Sequence, residues 1–98
     1  MKEELENPHP GIILKKEFLE ELNISMNQLA KSIGVPVTRL HYIVKGTRGI
    51  SADTDLRLSR YFGLSEGFWL RLQNQYDLMK AKRVGEFGKI EPYRYQEN

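Results

Sequence analysis

Residues 25–51 read SMNQLAKSIGVPVTRLHYIVKGTRGIS, and this stretch decides the fold. Ser25 followed by Gln28 is typical of a capping box, in which each side chain bonds the backbone N–H of the other residue at the start of a helix. Gly34 then interrupts the apolar helical pattern and supplies a positive φ at no steric cost. A second apolar pattern follows and ends at Gly46. The stretch therefore predicts a helix, a tight turn and a second helix.

The same part of the chain has an uneven distribution of charge. Residues 22–52 contain no Asp or Glu, and their cations are Lys31, Arg39, Lys45 and Arg48. Residues 1–24 hold three Lys and six Glu, so the net charge of +2 for the whole chain conceals a local positive cluster. A charge excess alone is also compatible with an ordinary solvated face. Combined with the helix-turn-helix pattern, it favours contact with nucleic acid.

Composition excludes several other classes of function. The chain of 98 residues predicts one domain, and the absence of Cys excludes disulfides, thiolate metal sites and thiol nucleophiles. His9 and His41 alone give no metal-ligand spacing, and no glycine-rich phosphate loop is present. The acids Glu17, Glu20 and Glu21 are expected on a solvated outer helix face. We therefore expect no catalytic residue, no metal, no cofactor and no small-molecule substrate.

The chain carries no sign of a membrane or secretory segment. Its first ten residues, MKEELENPHP, lack the apolar run of a signal peptide. No stretch approaches the roughly 20 apolar residues that a membrane span needs. We therefore expect no secretory signal and no membrane partner.

Apolar spacing and capping residues predict an all-α fold of five short helices. The helices are expected over about residues 10–22, 25–33, 36–45, 52–62 and 66–82, with Ser51 and Ser65 as caps of the last two. The expected core residues are Ile13, Leu14, Phe18, Leu22, Leu29, Ala30, Ile33, Leu40, Ile43, Leu58 and Phe62, with Leu56 partly buried. We expect residues 1–8 to form a flexible lead-in, 9–82 the helix-turn-helix domain with a C-terminal dimerisation helix, and 83–98 a short irregular tail.

Nine positions in register resemble the helix-turn-helix of the phage-repressor-like (Xre) superfamily. They are Ser25, Leu29, Ala30, Ile33, Gly34, Val35, Leu40, Ile43 and Gly46. The small Ala30 and the glycine at the turn allow the two helices to cross closely. The second helix is then held where it can enter a DNA major groove about 12 Å wide.

Flanking sequences resemble the HigA (VapI-type) antitoxin family. The resemblance rests on HPGIILKKEFLEELNIS before the motif, G-x-RGISADTDLRLSRYFG after it and S-x-x-FWLRLQNQYDL towards the end, and it covers about residues 7–82. It implies a cytoplasmic antitoxin of a type II pair that neutralises a HigB-like toxin, a small basic ribonuclease that cuts mRNA on the ribosome. It also implies a homodimer that represses its own operon at a palindromic operator. Ile12, Pro36 and Val37 depart from residues common in the family, which affects the expected operator sequence and not the fold.

The register of the motif predicts which side chains meet DNA. Val37, Thr38 and Tyr42 are expected to face bases, Arg39 and His41 to meet a base or phosphate, and Ser25, Gln28, Lys45 and Arg48 to meet phosphates. Alternatives remain for three kinds of position. Val37 can instead pack against the preceding helix, His41 can be only solvated, and Ser25 and Gln28 can act as caps alone.

The last predicted helix carries an apolar stripe of Phe68, Trp69, Leu72, Tyr76 and Met79. Repressors of this class bind two half-sites about 34 Å apart, which requires a dimer. We expect the stripe to contribute to the core and also to form the dimer interface; the alternative is that it belongs to the core alone. Two other functions remain open, a stand-alone repressor without a toxin and a protein-binding module that reuses the fold.

Overall fold

The structure, a computed structural model, describes residues 7–94. Within this range the chain forms five helices and no strand, which confirms the predicted all-α fold. The first helix, α1, spans residues 10–22 and is α-helical at Pro10–Ile13 and π-helical at Leu14–Glu20. The others are α2 at Met26–Ile33, α3 at Val37–Lys45, α4 at Ala52–Phe62 and α5 at Phe68–Val84, followed by a 3₁₀ turn at Phe87–Lys89.

The π-helical part of α1 changes which residues face inward. Hydrogen bonds from i to i+5 widen the turn, so residues five apart share a face. Leu14 and Leu19 are spaced in this way, and both are buried. Leu22 is 55% exposed, so its predicted place in the core is wrong.

The core lies between α1, α2, α3, the inner side of α4 and the first turn of α5. Its buried apolar residues are Leu14, Leu19, Leu29, Ala30, Ile33, Val35, Leu40, Ile43, Ile50, Leu58 and Trp69. Phe18 packs its ring against Phe62 and Trp69, with centroids 4.7 and 5.0 Å apart. Leu56 is exposed rather than partly buried, because it lies on the outer side of α4.

A buried carboxylate from α4 caps the start of α5. Asp55 is fully buried and accepts hydrogen bonds from the backbone N–H groups of Gly67, Trp69 and Leu70, at 2.7, 2.8 and 3.1 Å. The predicted cap, Ser65, is wrong, and its hydroxyl instead accepts a hydrogen bond from Arg71. Gly67, with a φ of 92°, moves the start of α5 past Ser65.

The C-terminal part of the chain is more helical than predicted, because α5 continues to Val84. Residues 85–94 that follow are exposed. The predicted lead-in and the predicted tail fall partly on residues 1–6 and 95–98, which lie outside the described residues. Among residues 7–94, no helix has the length and hydropathy needed to cross a membrane.

Candidate nucleic-acid interface

The turn between α2 and α3 is fixed by backbone geometry and by one long side chain. Gly34 ends α2 with a φ of 76°, and its N–H donates to the carbonyl of Ala30. The N–H of Val35 donates to the same carbonyl. Arg57 of α4 then donates from Nη1 to the carbonyl of Ile33 at 2.7 Å. These contacts satisfy two of the last carbonyls of α2 and tie the turn before α3 to α4.

One side of α3 is open to solvent. Leu40 and Ile43 are fully buried against the core, while Thr38, His41, Tyr42 and Lys45 are exposed. At about 100° per residue, Thr38, Tyr42 and Lys45 lie opposite Leu40 on the helix. We call Thr38 and Tyr42 the reading face; His41 and Arg39 lie at its two edges, and Lys45 lies beyond it at the C-terminal end of α3.

Val37 lies on the other side of the helix. It is half-buried and packs against the hydrophobic core. Its position favours the alternative in which this side chain packs inside the protein rather than facing a base. Thr38 and Tyr42, the other two predicted base-facing residues, are exposed, and Tyr42 keeps 52% of its surface open to solvent.

Arg39, at one edge of the reading face, is held by an acid of α4. Its Nη1 donates to Oδ2 of Asp53 at 3.0 Å, and the same oxygen accepts from Nε of Arg57 at 3.0 Å. The hydrogen bonds from Arg57 and then Arg39 lower the pKa of Asp53. The carboxylate thus stays ionised between two guanidinium groups.

Cations and helix ends flank the reading face. Ser25, Gln28, Lys45 and Arg48 are all exposed. The hydroxyl of Ser25 accepts from the N–H of Gln28 at 3.0 Å, which confirms that Ser25 caps α2. Exposed cations and an exposed helix N-terminus each suit phosphate oxygens. Contacts of these four residues with phosphate remain predictions.

The far end of α3 rests directly on the start of α1. A Cβ built at Gly11 would stand 1.8 Å from the carbonyl oxygen of Ile43 and 2.9 Å from Cα of Val44. Only glycine permits this approach of the two backbones. Any side chain here would push α3 away from the body.

His9 completes this junction. Its Nδ1 accepts a hydrogen bond from the N–H of Gly11 at 2.9 Å, and its ring meets Tyr76 of α5 edge-on at 5.0 Å. Burial lowers the pKa of His9, against an opposing effect from Asp77 and with a smaller contribution from Lys80. The imidazole is therefore held neutral, with Nδ1 as an acceptor.

The predicted stripe of α5 divides between the core and the surface. Trp69 is 0% exposed, so its predicted place in a dimer interface is wrong; its ring lies inside a single chain. Phe68 and Leu72 are half-buried and pack against the core. Tyr76 and Met79 are also half-buried. Met79 lines an open groove of about 430 Å³ on the outer side of α5, together with Arg71, Asn74, Gln75, Leu78 and Lys82.

Three important side chains were missed by sequence reasoning as parts of this architecture. The spacing of Asp53 and Arg57, i and i+4 on α4, could have indicated a salt bridge next to the acid-free segment. Asp55 carried no such signal, because a carboxylate in a first turn is usually solvated. Among residues 7–94, no group of three or more His, Cys, Asp or Glu side chains could hold a metal ion.

Comparison with known proteins gives consistent matches. A family model described as helix-turn-helix matches residues 15–69, which include α2, α3 and α4. The chain is 45% identical over 82 residues to virulence-associated protein I of Dichelobacter nodosus, covering 84% of this chain and 76% of that protein.

Solved structures that resemble this chain include proteins bound to DNA. One is the Pseudomonas aeruginosa protein PA4674 in complex with its operator DNA, with a TM-score of 0.85 and 42% identity over 90% of this chain and 98% of that one. Another is the Pseudomonas aeruginosa antitoxin HigA with the higBA promoter, with a TM-score of 0.79 and 42% identity over 89% of this chain and 98% of that one.

Proposed function

The chain belongs to the HigA (VapI-type) antitoxin family of helix-turn-helix proteins, and from this premise we propose that it binds a palindromic operator as a homodimer, represses its own operon and neutralises a HigB-like toxin. The observation that carries the DNA-binding part is the reading face of α3, which is exposed, lies within an acid-free segment and follows the tight turn at Gly34. Its related proteins in complex with operator DNA support the same part.

The chemistry of the reading face suits a major groove. The hydroxyl of Thr38 can donate to or accept from a base edge, and the ring of Tyr42 can contact a thymine methyl or a sugar. Lys45 and Arg48 can neutralise phosphates on either side, which adds affinity without reading sequence. Binding is then expected to weaken steeply with salt, since each neutralised phosphate releases counterions.

A dimer is needed to read two half-sites one helical turn apart. The outer side of α5 supports an interface, because Leu78 is 57% exposed and stands beside Met79 on an open groove. Phe68, Leu72 and Tyr76 keep part of their surface exposed and remain candidates at its margin. Their place in the interface is a prediction.

The toxin is expected on a different surface from the DNA. Glu17, Glu20 and Glu21 are exposed on α1 and suit a basic partner through charge complementarity. We propose that the protein acts in the cytoplasm by binding alone, without a catalytic residue, metal or cofactor of its own.

The DNA-binding proposal is tested by fluorescence anisotropy on the promoter of the chain's own operon and on a scrambled duplex of equal length. Lys45→Ala should weaken binding to both duplexes and reduce the slope of log affinity against log salt by about one. Lys16→Ala removes the same charge from an exposed site on α1 and should change neither. Equal affinity of the wild-type protein for both duplexes would contradict sequence-specific repression.

The toxin-binding proposal is tested by co-expression with the neighbouring gene. A HigB-like partner should co-purify with this chain, and co-expression of this chain should relieve the growth arrest that the partner causes. Specific DNA binding without such a partner would favour a stand-alone repressor. A partner that depends on Tyr42, in a protein that binds no DNA, would favour the protein-binding module.

A further inference from the structure

We propose that Asp53 is a positioning residue for operator recognition, because it fixes the guanidinium of Arg39 at the edge of the reading face. The inference rests on the proposed DNA binding and assigns a determinant of its specificity. An acid this close to a DNA-binding face would be unfavourable if it did nothing but repel phosphate.

A continuous set of contacts links Arg39 to the turn that orients α3. Arg39 Nη1 and Arg57 Nε both donate to Oδ2 of Asp53, each at 3.0 Å. Arg57 also donates from Nη1 to the carbonyls of Ile33 and Gly34, at 2.7 and 3.5 Å. Asp53 is therefore also bound to Arg57, which is itself bonded to the turn, and these contacts restrain Arg39.

The contact with Asp53 leaves Arg39 able to bind DNA. A guanidinium has five N–H donors in a rigid fork, and the bond to Asp53 uses a donor on Nη1 alone. The side chain of Arg39 is only 24% exposed and is bound to Asp53, so part of its conformational freedom is already lost before DNA arrives. A guanidinium held in one orientation loses less entropy when it binds.

Orientation decides what Arg39 recognises. A fixed fork can meet the O6 and N7 atoms of a guanine, the commonest sequence-specific contact in the major groove. A guanidinium released from Asp53 can follow the phosphates instead, and those contacts carry no sequence information. Asp53 should therefore strengthen operator binding relative to binding of any other DNA.

The test compares Asp53→Asn with Glu66→Gln, which removes the same charge from an exposed turn between α4 and α5. Anisotropy is measured on the operator and on a scrambled duplex. In Asp53→Asn the affinity for the operator divided by the affinity for the scrambled duplex should fall about tenfold. This is within the range of discrimination that one base contact gives. In Glu66→Gln the ratio should stay at the wild-type value. A variant that is partly unfolded lowers both affinities together, so the ratio is insensitive to loss of structure.

A double-mutant cycle assigns the effect to Arg39. Arg39→Ala should lower the ratio as Asp53→Asn does, and Asp53→Asn should lower it no further when Arg39 is absent. A further fall of the affinity ratio in the double variant would overturn the positioning role. An equal gain in affinity for both duplexes in Asp53→Asn would overturn it as well, because it would indicate that Asp53 only repels phosphate. If wild-type protein fails to distinguish the duplexes, the proposed function itself fails, before Asp53 is tested.

Discussion

The two ends of α3 are held by different kinds of contact. At its C-terminal end the backbone of Ile43 rests against Gly11 with no space for a side chain. At its N-terminal end Arg39 is bound to Asp53 by an ion pair that remains open to solvent. Close packing in an interior tolerates little change, whereas exposed ion pairs add little stability. The C-terminal end therefore determines where the helix lies, and the N-terminal end determines how its cation is aimed.

Gly11→Ala should have the largest effect on stability. Its Cβ would stand 1.8 Å from the carbonyl oxygen of Ile43, so α1 and α3 must separate. We expect a loss of about 3 kcal/mol in the free energy of unfolding, at the upper end for overpacking because the obstacle is backbone. Urea denaturation measures it. Gly88→Ala is the control, because a Cβ there meets nothing within 4 Å. A fully stable Gly11→Ala protein would show that the junction yields easily.

Asp55→Asn should have the next largest effect. Its carboxylate accepts three backbone N–H groups in a buried site, and an amide presents an N–H₂ where one oxygen accepted. Leaving a buried donor unsatisfied should lower the free energy of unfolding by about 2 kcal/mol. Asp53→Asn makes the same chemical change two residues earlier at an exposed site. Equal losses in the free energy of unfolding of both variants would mean that burial does not make the carboxylate of Asp55 more important for stability than that of Asp53.

The parts of the fold predicted from sequence are those with local causes. The capping hydroxyl of Ser25, the left-handed Gly34 and the buried pair Leu40 and Ile43 follow from short-range rules, and all are present in the structure. The exposed side of α3 follows as well, since a helix that buries one side leaves the opposite side open. Thr38 and Tyr42 were therefore placed correctly on the solvent-exposed side.

The parts that sequence did not predict depend on contacts between distant segments. Nothing near Gly11 in the sequence shows that glycine is required there, because the requirement comes from its contact with α3. Asp55 looks like a first-turn acid until the start of α5 supplies its three donors. Trp69 was expected to take part in a dimer interface because the size of the core could not be judged from one helix. Leu22 was misplaced because a π-helical turn has no clear sequence signal.

His9→Gln tests the polar part of the buried junction through pH. The pKa of His9 is lowered in the folded chain from its ordinary 6.5, so the unfolded chain binds the proton more readily. Its contribution to stability is therefore present above about pH 6.5 and is lost as pH falls towards the lower, folded-state pKa. Wild-type stability should decline between about pH 7.5 and 5.5, and this decline should shrink in His9→Gln.

The replacement should also lower stability at neutral pH by about 1 kcal/mol, because the imidazole caps α1. His41→Gln is the matched control, since His41 is exposed on α3 and should leave the acid-dependent decline intact. Urea denaturation at both pH values measures the difference. If the fall of stability at low pH shrinks in His41→Gln and not in His9→Gln, the buried imidazole is not its cause.

Arg57→Ala should have the smallest effect on stability and so measures the exposed end of α3. It removes the bond to Asp53 and the bond to the carbonyl of Ile33, in a partly exposed site. We expect a loss of about 0.5–1 kcal/mol at low salt, and less at about 1 M salt, where exposed charges are screened. The loss in Gly11→Ala should be the same at both salt concentrations, because steric overlap is not screened. A large loss in Arg57→Ala that salt does not reduce would mean that packing, and not charge, holds both ends of α3.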